Sequence, residues 1–252
     1  MIENKRNLVN ILGVPVDNIE MGEALDLIEK FILELDDIRC RVVYTPNPEM
    51  IMKAQEDKEL MEILNDSDLN VPDGIGVVIA SRLLNQPLKA RVAGYDLMME
   101  IIKLCHKKGY SICFLGGSPG VAEEAKRRIQ EQFKGIKVTG AYHGYYPPDY
   151  EEVLLQEINI KAPDVLFVGM GVPKQEKWIQ KYKGELYSGV CMAVGGSIDV
   201  LAGKVKRAPK IFQRLGLEWL YRLITQPWRY KRMLALPRFM MRILNERKRV
   251  MK

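Results

Sequence analysis

A chain of 252 residues, 47% hydrophobic and 28% charged, can bury a full core as one large domain or as a domain with an appendage, which excludes a disordered chain. No stretch of about 18 residues runs apolar without a charge, and the N-terminal MIENKRN has no apolar run, so neither a spanning segment nor a signal peptide is expected and the protein is placed in the cytoplasm. The net charge of +6 is unevenly divided: residues 204–252 hold 15 Lys or Arg against Glu218 and Glu246, a net of +13, while the 203 residues before them stand at −7.

Short β-branched runs alternate with amphipathic stretches, the pattern of a mainly parallel α/β sheet with helices on both faces. The pattern predicts a strand at Val9–Leu12, a helix at Met21–Leu35, and strands at Arg41–Thr45 and Leu69–Val71. A helix at Tyr95–Lys107 follows a glycine; after a strand at Ser111–Leu115, the helix at Pro119–Phe133 opens with proline in its first turn and continues with Glu123 and Glu124. Strands at Lys137–Ala141, Val165–Val168 and Val190–Val194 then alternate with helices at Glu151–Ile160 and Lys174–Tyr182. The composition shifts at GKVKRAP, residues 203–209, which divides a domain over 1–203 from a basic helical appendage over 204–252. Pro227 and Pro237 are expected to cut that appendage into about three short helices.

Cys40, Cys105, Cys113 and Cys191 show no CxxC spacing and read as small core residues, and with only His106 and His143 a His/Cys zinc site is not expected. Chemistry therefore falls to carboxylates, amides and cations. Asp66-Ser67-Asp68 spells a DxD pattern, but it follows the helical stretch Leu60–Asn65 and reads as a helix-end turn, so no metal and no cofactor is expected.

Five predicted strand ends carry loops rich in Pro, Gly, Asn and Asp, and in a parallel sheet they open on one edge as a pocket. They are Thr45-Pro46-Asn47-Pro48, Val71-Pro72-Asp73-Gly74, Gly116-Gly117-Ser118-Pro119-Gly120, the run from Gly169 to Glu176, and Gly195-Gly196-Ser197-Ile198-Asp199. The Gly116–Gly120 run lies between a strand and a helix, where N–H groups favour an anion, although it is neither a complete GxGxxG fingerprint nor a P-loop.

The ordered series TPNPEM, PDGIGV, RVAGYD, FLGGSPG, GMGVPKQE and VGGSID resembles the WecG/TagA/CpsF glycosyltransferase family, and the basic tail resembles the C-terminal appendage of its TagA branch. The resemblance implies a Rossmann-like fold and an inverting, metal-independent transferase acting on polyprenyl-diphosphate-linked GlcNAc. In the TagA branch the implied donor is UDP-N-acetylmannosamine and the product begins the linkage unit of wall teichoic acid. Matched motif by motif, the implied pocket residues are Thr45, Asn47, Asp73, Arg91, Gln175 and Asp199. Arg222, Arg229 and Arg232 correspond to arginines that complete the site over the acceptor diphosphate.

In that setting Asp73, projected by a Pro-Asp-Gly turn, is the candidate general base, and Arg91 can bind the leaving diphosphate in a bidentate manner. Thr45, Asn47 and Gln175 would hold sugar or diphosphate oxygens, Gly116, Gly117 and Ser118 would contact the nucleotide, and Asp199 would orient donor or acceptor. The tail places Ile211, Phe212, Leu215, Trp219, Leu220, Leu223 and Ile224 at helical spacing among basic residues, with Trp228 and Tyr230 beyond. That composition suits an anionic membrane surface and a peripheral protein on its inner face. No nucleic-acid module is present, and a homo-oligomer is left open. The alternatives are a related transferase of N-acetylmannosaminuronate or another hexose, and a non-catalytic peripheral nucleotide-binding protein.

Overall fold

The computed structural model describes residues 6–34 and 40–250. It opens with an antiparallel hairpin of β1 (Leu8–Ile11) and β2 (Val14–Asp17), turning through Leu12 and Gly13 at φ of 53° and 86°. Two left-handed central residues are what a tight hairpin turn requires. The strand expected at Val9–Leu12 is thus half of a two-stranded sheet separate from the main one. Pro15 hid the other half; it pairs with Asn10 on a strand that has only one ladder partner, where a missing N–H is tolerated.

The helix α1 (Met21–Leu33) starts at a capping box of Glu20 and Glu23 and buries Ala24, Ile28 and Ile32 on one face. Leu35, the expected end of this helix, lies outside the described residues. Then come β3 (Arg41–Tyr44), α2 (Pro48–Ala54), α3 (Lys58–Asn65), β4 (Leu69–Asn70), α4 (Ile75–Leu83) and α5 (Gly94–Lys108). Of these, α2 and α4 were not expected, because TPNPEM and PDGIGV read as plain turns. Asn47 caps α2 and Pro48 opens it, a start signal that a seven-residue helix gives without enough length to show periodicity. The predicted alternation then follows through β5 (Ser111–Gly116), α6 (Val121–Gln132), β6 (Lys137–Tyr142), α7 (Glu151–Lys161), β7 (Val165–Gly169), α8 (Lys174–Tyr182) and β8 (Val190–Ala193), after which the strand-end run from Gly195 to Asp199, read as a loop, carries the short helix α9 (Ser197–Leu201).

The six strands of the main sheet lie in the order β4-β3-β8-β7-β5-β6, and every neighbouring pair is parallel. Helices α1, α5, α6 and α9 cover one face, over Val43, Phe114, Phe167 and Met192. The other face carries α2, α3, α7 and α8, over Tyr44, Leu115, Val168 and Cys191. Burial on both faces explains why β7 and β8 read as unbroken apolar runs rather than alternating ones. This is the expected Rossmann-like α/β architecture. All four cysteines are buried and free.

The C-terminal segment forms α10 (Lys210–Arg214), α11 (Glu218–Thr225), a 3-10 turn at Pro227–Arg229, α12 (Tyr230–Met233) and α13 (Ala235–Val250). Pro237 does not divide it. The proline sits third in α13, within the first turn, where its missing N–H has no intrahelical partner to lose. Phe239 and Ile243 of α13 are fully buried in the core that contains Met50 and Ile51 of α2, a burial worth about 1.5–3 kcal/mol for each side chain. Among the described residues no helix is long and apolar enough to cross a membrane.

Candidate active site

Because β3, β4, β8, β7 and β5 run parallel, the loops after them open on one edge of the sheet, as the strand-end motifs predict. The chain leaves β5 outward to β6, whereas it leaves β7 inward to β8, so its winding reverses between β5 and β7 and a crevice forms outside their carboxyl ends. Glycines make that crevice narrow, and the Lys174 side chain reaches it to donate to the Gly144 carbonyl at 2.9 Å. Gly116 has φ of 151°, and a Cβ on it would fall 2.3 Å from the Gly169 carbonyl oxygen. The Gly117 N–H donates to the same oxygen at 3.1 Å, and the Gly144 N–H donates to the Gly117 oxygen at 2.9 Å. Ser118 is exposed where this loop enters α6.

Asp73 stands on the same carboxyl edge, after the outer strand β4 and three strands from β7 in the sheet order. Its N–H donates to the Pro46 oxygen at 3.1 Å, carrying the pairing of β3 and β4 beyond the strands themselves. Gly74 follows at φ of 86° and starts α4, whose Gly76 packs so closely on Pro48 that a Cβ would meet the ring at 2.7 Å. A Cβ on Gly94, the first residue of α5, would lie 3.2 Å from Thr45. These contacts bring Thr45, Asn47 and Asp73 together. Asn47 spends its Oδ1 on the Met50 N–H at 3.0 Å, so what it offers a ligand is Nδ2. Burial raises the Asp73 carboxyl above its ordinary range, against the pull of Arg91, the Gly94 N–H and Arg222, while Glu218 adds to the rise. A carboxylate that is partly stripped of water and whose proton affinity is raised is suited to accept a proton.

Arg91 is engaged with the tail. Its Nη1 donates to the Gln213 carbonyl at 3.1 Å and its Nη2 to the Glu218 carboxylate, while its buried Nε has no partner among the described residues. A guanidinium has five N–H donors, so one hydrogen on each terminal nitrogen remains for an anion.

Gln175 is 2% exposed and clasps two loops: Oε1 accepts from the N–H of Gly171 at 3.2 Å and of Gly195 at 3.0 Å, and Nε2 donates to Glu176 Oε1 at 2.7 Å. One Nε2 hydrogen is left to reach a ligand. Glu176, which the sequence reading passed over, is fully buried with Oε2 unpartnered among the described residues, and burial pushes its carboxyl up to about 7. Below its ordinary value of 4.5 the group is neutral folded or unfolded, and as pH rises toward about 7 only the unfolded chain ionises freely. The native state is thereby destabilised by a growing amount that levels off near about 3 kcal/mol. Glu176→Gln is expected to raise the thermal midpoint at about pH 8 and to lose that advantage as calorimetry is repeated toward pH 5. A gain of the same size at both pH values contradicts this account.

Asp199 lies in the first turn of α9, half-buried, and burial raises its carboxyl too. Its Oδ2 is 3.8 Å from the position a Cβ on Gly196 would take, so it stays with the β8 loop. The tail approaches the same edge from above. Arg222 of α11 is within electrostatic reach of Asp73, and Arg232 pairs with Glu49 at 3.0 Å. Arg229 belongs to the 3-10 turn, but its side chain lies outside the described part of the structure. A cavity of about 290 Å³ lies between α2, Val172 and the α12–α13 turn, lined by Glu49, Lys53, Glu56, Lys231, Arg232 and Arg238 among others. Lys53, Lys231 and Arg238 were absent from the sequence reading; they belong to a charge pattern that only the packing of α2 against the tail assembles.

The Asp66-Ser67-Asp68 segment lies at the opposite, amino-terminal edge. Asp66 ends α3 and receives Lys183 and Gln180, and Asp68 accepts from the Val42 N–H at 2.8 Å and from Arg41 at 3.2 Å. It is a helix-end turn that ties β3 to β4. Among the described residues no group of three His, Cys, Asp or Glu side chains gathers as metal ligands would.

Comparison with known proteins gives the same reading of the whole chain. Residues 9–252 match the model of the Glycosyl transferase WecG/TagA/CpsF family. A Bacillus subtilis (strain 168) protein named N-acetylglucosaminyldiphosphoundecaprenol N-acetyl-beta-D-mannosaminyltransferase is 37% identical over 238 residues, covering 94% of this chain and 91% of that protein. A Staphylococcus aureus (strain NCTC 8325 / PS 47) protein of the same name is 36% identical over 253 residues, covering 100% and 98%. With the glycine crevice, the strand-edge carboxylate and a match that runs from the first hairpin into the tail, this chain belongs to the WecG/TagA/CpsF glycosyl transferase family.

Proposed function

We propose that the chain transfers N-acetylmannosamine from UDP-N-acetylmannosamine to GlcNAc-diphosphoundecaprenol, forming the linkage unit of wall teichoic acid. The relatives' names support the donor sugar and the acceptor. The observation that carries the chemistry is the desolvated carboxylate of Asp73, on the same carboxyl edge of the sheet as the glycine-lined crevice and within electrostatic reach of Arg91 and Arg222. The acceptor hydroxyl attacks the anomeric carbon and gives its proton to Asp73, while the bond to UDP breaks on the opposite face and its electron pair leaves with the diphosphate. The configuration inverts.

The nucleotide diphosphate would lie along Gly116, Gly117 and Ser118, with Thr45, Asn47 and Gln175 toward the sugar and Asp199 at the rim. Negative charge builds on the leaving diphosphate, and donors already in place stabilise it best. Arg91 and Arg222, both within electrostatic reach of Asp73, are assigned that work, while Arg229 and Arg232 would complete the site over the acceptor's own diphosphate, Arg232 at the mouth of the basic cavity. Exposed Ile211, Leu215, Ile224, Trp228 and Tyr230 then face an anionic membrane in which the lipid tail is anchored.

The test is UDP release by the full-length protein from UDP-N-acetylmannosamine, with a short-chain lipid-diphosphate-GlcNAc acceptor, in EDTA. Acceptor-dependent release undiminished by the chelator is expected, since protein cations meet the leaving group. Abolition by EDTA with rescue by manganese would overturn the cation assignment, and release from a different UDP-sugar alone would overturn the donor.

A further inference from the structure

The seating of α11 presents a physical puzzle. Neither α10 nor α11 contains a fully buried residue, Ile211, Leu215 and Ile224 are 64%, 63% and 63% exposed, and Phe212, Leu220 and Leu223 are only half-buried, so apolar burial alone holds this part of the tail weakly. Two contacts with the body do fix it. Gly216, at φ of 69° between the two helices, lies so close to Ile75 that a Cβ would meet the Ile75 Cβ at 2.8 Å, immediately beyond Asp73 and Gly74. Glu218, in the first turn of α11, takes the guanidinium of Arg91, which also donates to the Gln213 carbonyl at 3.1 Å. Arg207 closes the clasp, 3.6 Å from Glu218 and 2.7 Å from Asp96, with its guanidinium 4.4 Å from the Tyr95 ring centre.

Glu218 and Arg222 are four residues apart on α11, hence on one face and about 6 Å apart along the axis. The carboxylate held by Arg91 therefore decides where the arginine one turn later stands. Both groups act electrostatically on Asp73. We infer that Glu218 is a positioning residue: by gripping Arg91 it seats α11 so that Arg222 stands over Asp73 and the leaving diphosphate. The inference rests on the proposed transfer reaction for what Arg222 does, but not for how α11 is held. It also accounts for an acid in a segment that is otherwise strongly basic, with Glu246 the only other carboxylate side chain after residue 204. Arg91 serves twice, through two of its donors to the tail and through those that remain to an anion.

The experiment is a double-mutant cycle in the full-length protein, with turnover of UDP-N-acetylmannosamine and the short-chain acceptor as one readout and limited trypsin cleavage at Arg214 and Arg222 as the other. Glu218→Gln is expected to lower kcat about tenfold with the donor KM within about twofold, and to speed cleavage at Arg214. In an Arg222→Ala background the same change is expected to cost less than about twofold, because the group it positions is gone. Glu218→Asp, which keeps the charge but shortens its reach, should fall between wild type and Gln, and replaces Gln in the cycle if that variant loses thermal stability. Full turnover of Glu218→Gln, or an equal loss with and without Arg222, overturns the inference. If the wild type transfers no sugar, the proposed function fails instead, and unchanged cleavage in Glu218→Gln would then still reject the clasp.

Discussion

Asp73→Asn is expected to lower kcat about 10³-fold, within the range that a positioned general base supplies, while the donor KM changes by less than about threefold. The side chain keeps its shape and can still accept from the Gly94 N–H, so the turn that carries β4 into α4 is preserved; what is lost is the capacity to take a proton, together with the negative charge facing Arg91 and Arg222. The pH profile adds an independent reading. The base must be ionised to act, so activity rises with pH through its folded pKa, and burial has displaced that value upward from 3.8. The acid limb of kcat/KM should therefore lie above the ordinary carboxylate range, and the residual activity of Asp73→Asn should lack it. Wild-type turnover in Asp73→Asn would remove the base from this site. Loss of activity with the acid limb retained would mean that another carboxylate titrates there, and Asp199, also raised by burial, is the next to replace.

The sequence disclosed the carboxyl-edge pocket because the signal is coarse and repeated. Apolar runs buried on both faces announce a parallel sheet, and a parallel sheet sends all its strand-end loops to one edge, so the FLGGSPG and VPDG turns could be grouped without any knowledge of their contacts. The order of the strands was not disclosed by that signal, so the crevice between β5 and β7 had to come from the structure. Short elements were missed for a different reason. The seven residues of α2 and nine of α4 are too few for periodicity to rise above their Pro and Gly content, although Asn47-Pro48 is a legible helix start. What side chains do depended on partners far away in the chain. Arg91 meets Gln213 and Glu218 at separations of 122 and 127 residues, and the two loops clasped by Gln175 meet only after β7 and β8 pair. Glu218 still left a mark in the sequence, as an acid isolated among the tail's cations.

Replacing Lys231, Arg232 and Arg238 together by Gln is expected to weaken binding to vesicles rich in anionic lipid about 100-fold. Each basic group near such a surface contributes about 1 kcal/mol, and three of them about two orders of magnitude in the binding constant. All three are exposed and line one cavity, so their loss leaves Phe239 and Ile243 in the core and the fold intact. Vesicle sedimentation measures the effect, and the partition of wild type should fall with added salt while that of the variant responds less, since screened charges no longer matter once they are absent. Ile224→Glu with Trp228→Glu tests the other contribution: these side chains are 63% and 73% exposed, and carboxylates there should weaken binding to neutral as well as anionic vesicles. If the triple variant keeps full affinity for anionic vesicles, the basic cavity is not turned toward the membrane. If it keeps affinity but loses turnover of the lipid-linked acceptor, the same cations serve the acceptor's diphosphate alone. Loss of both places the membrane surface and the reacting diphosphate at one cluster, in which docking of the protein and presentation of the acceptor are a single event.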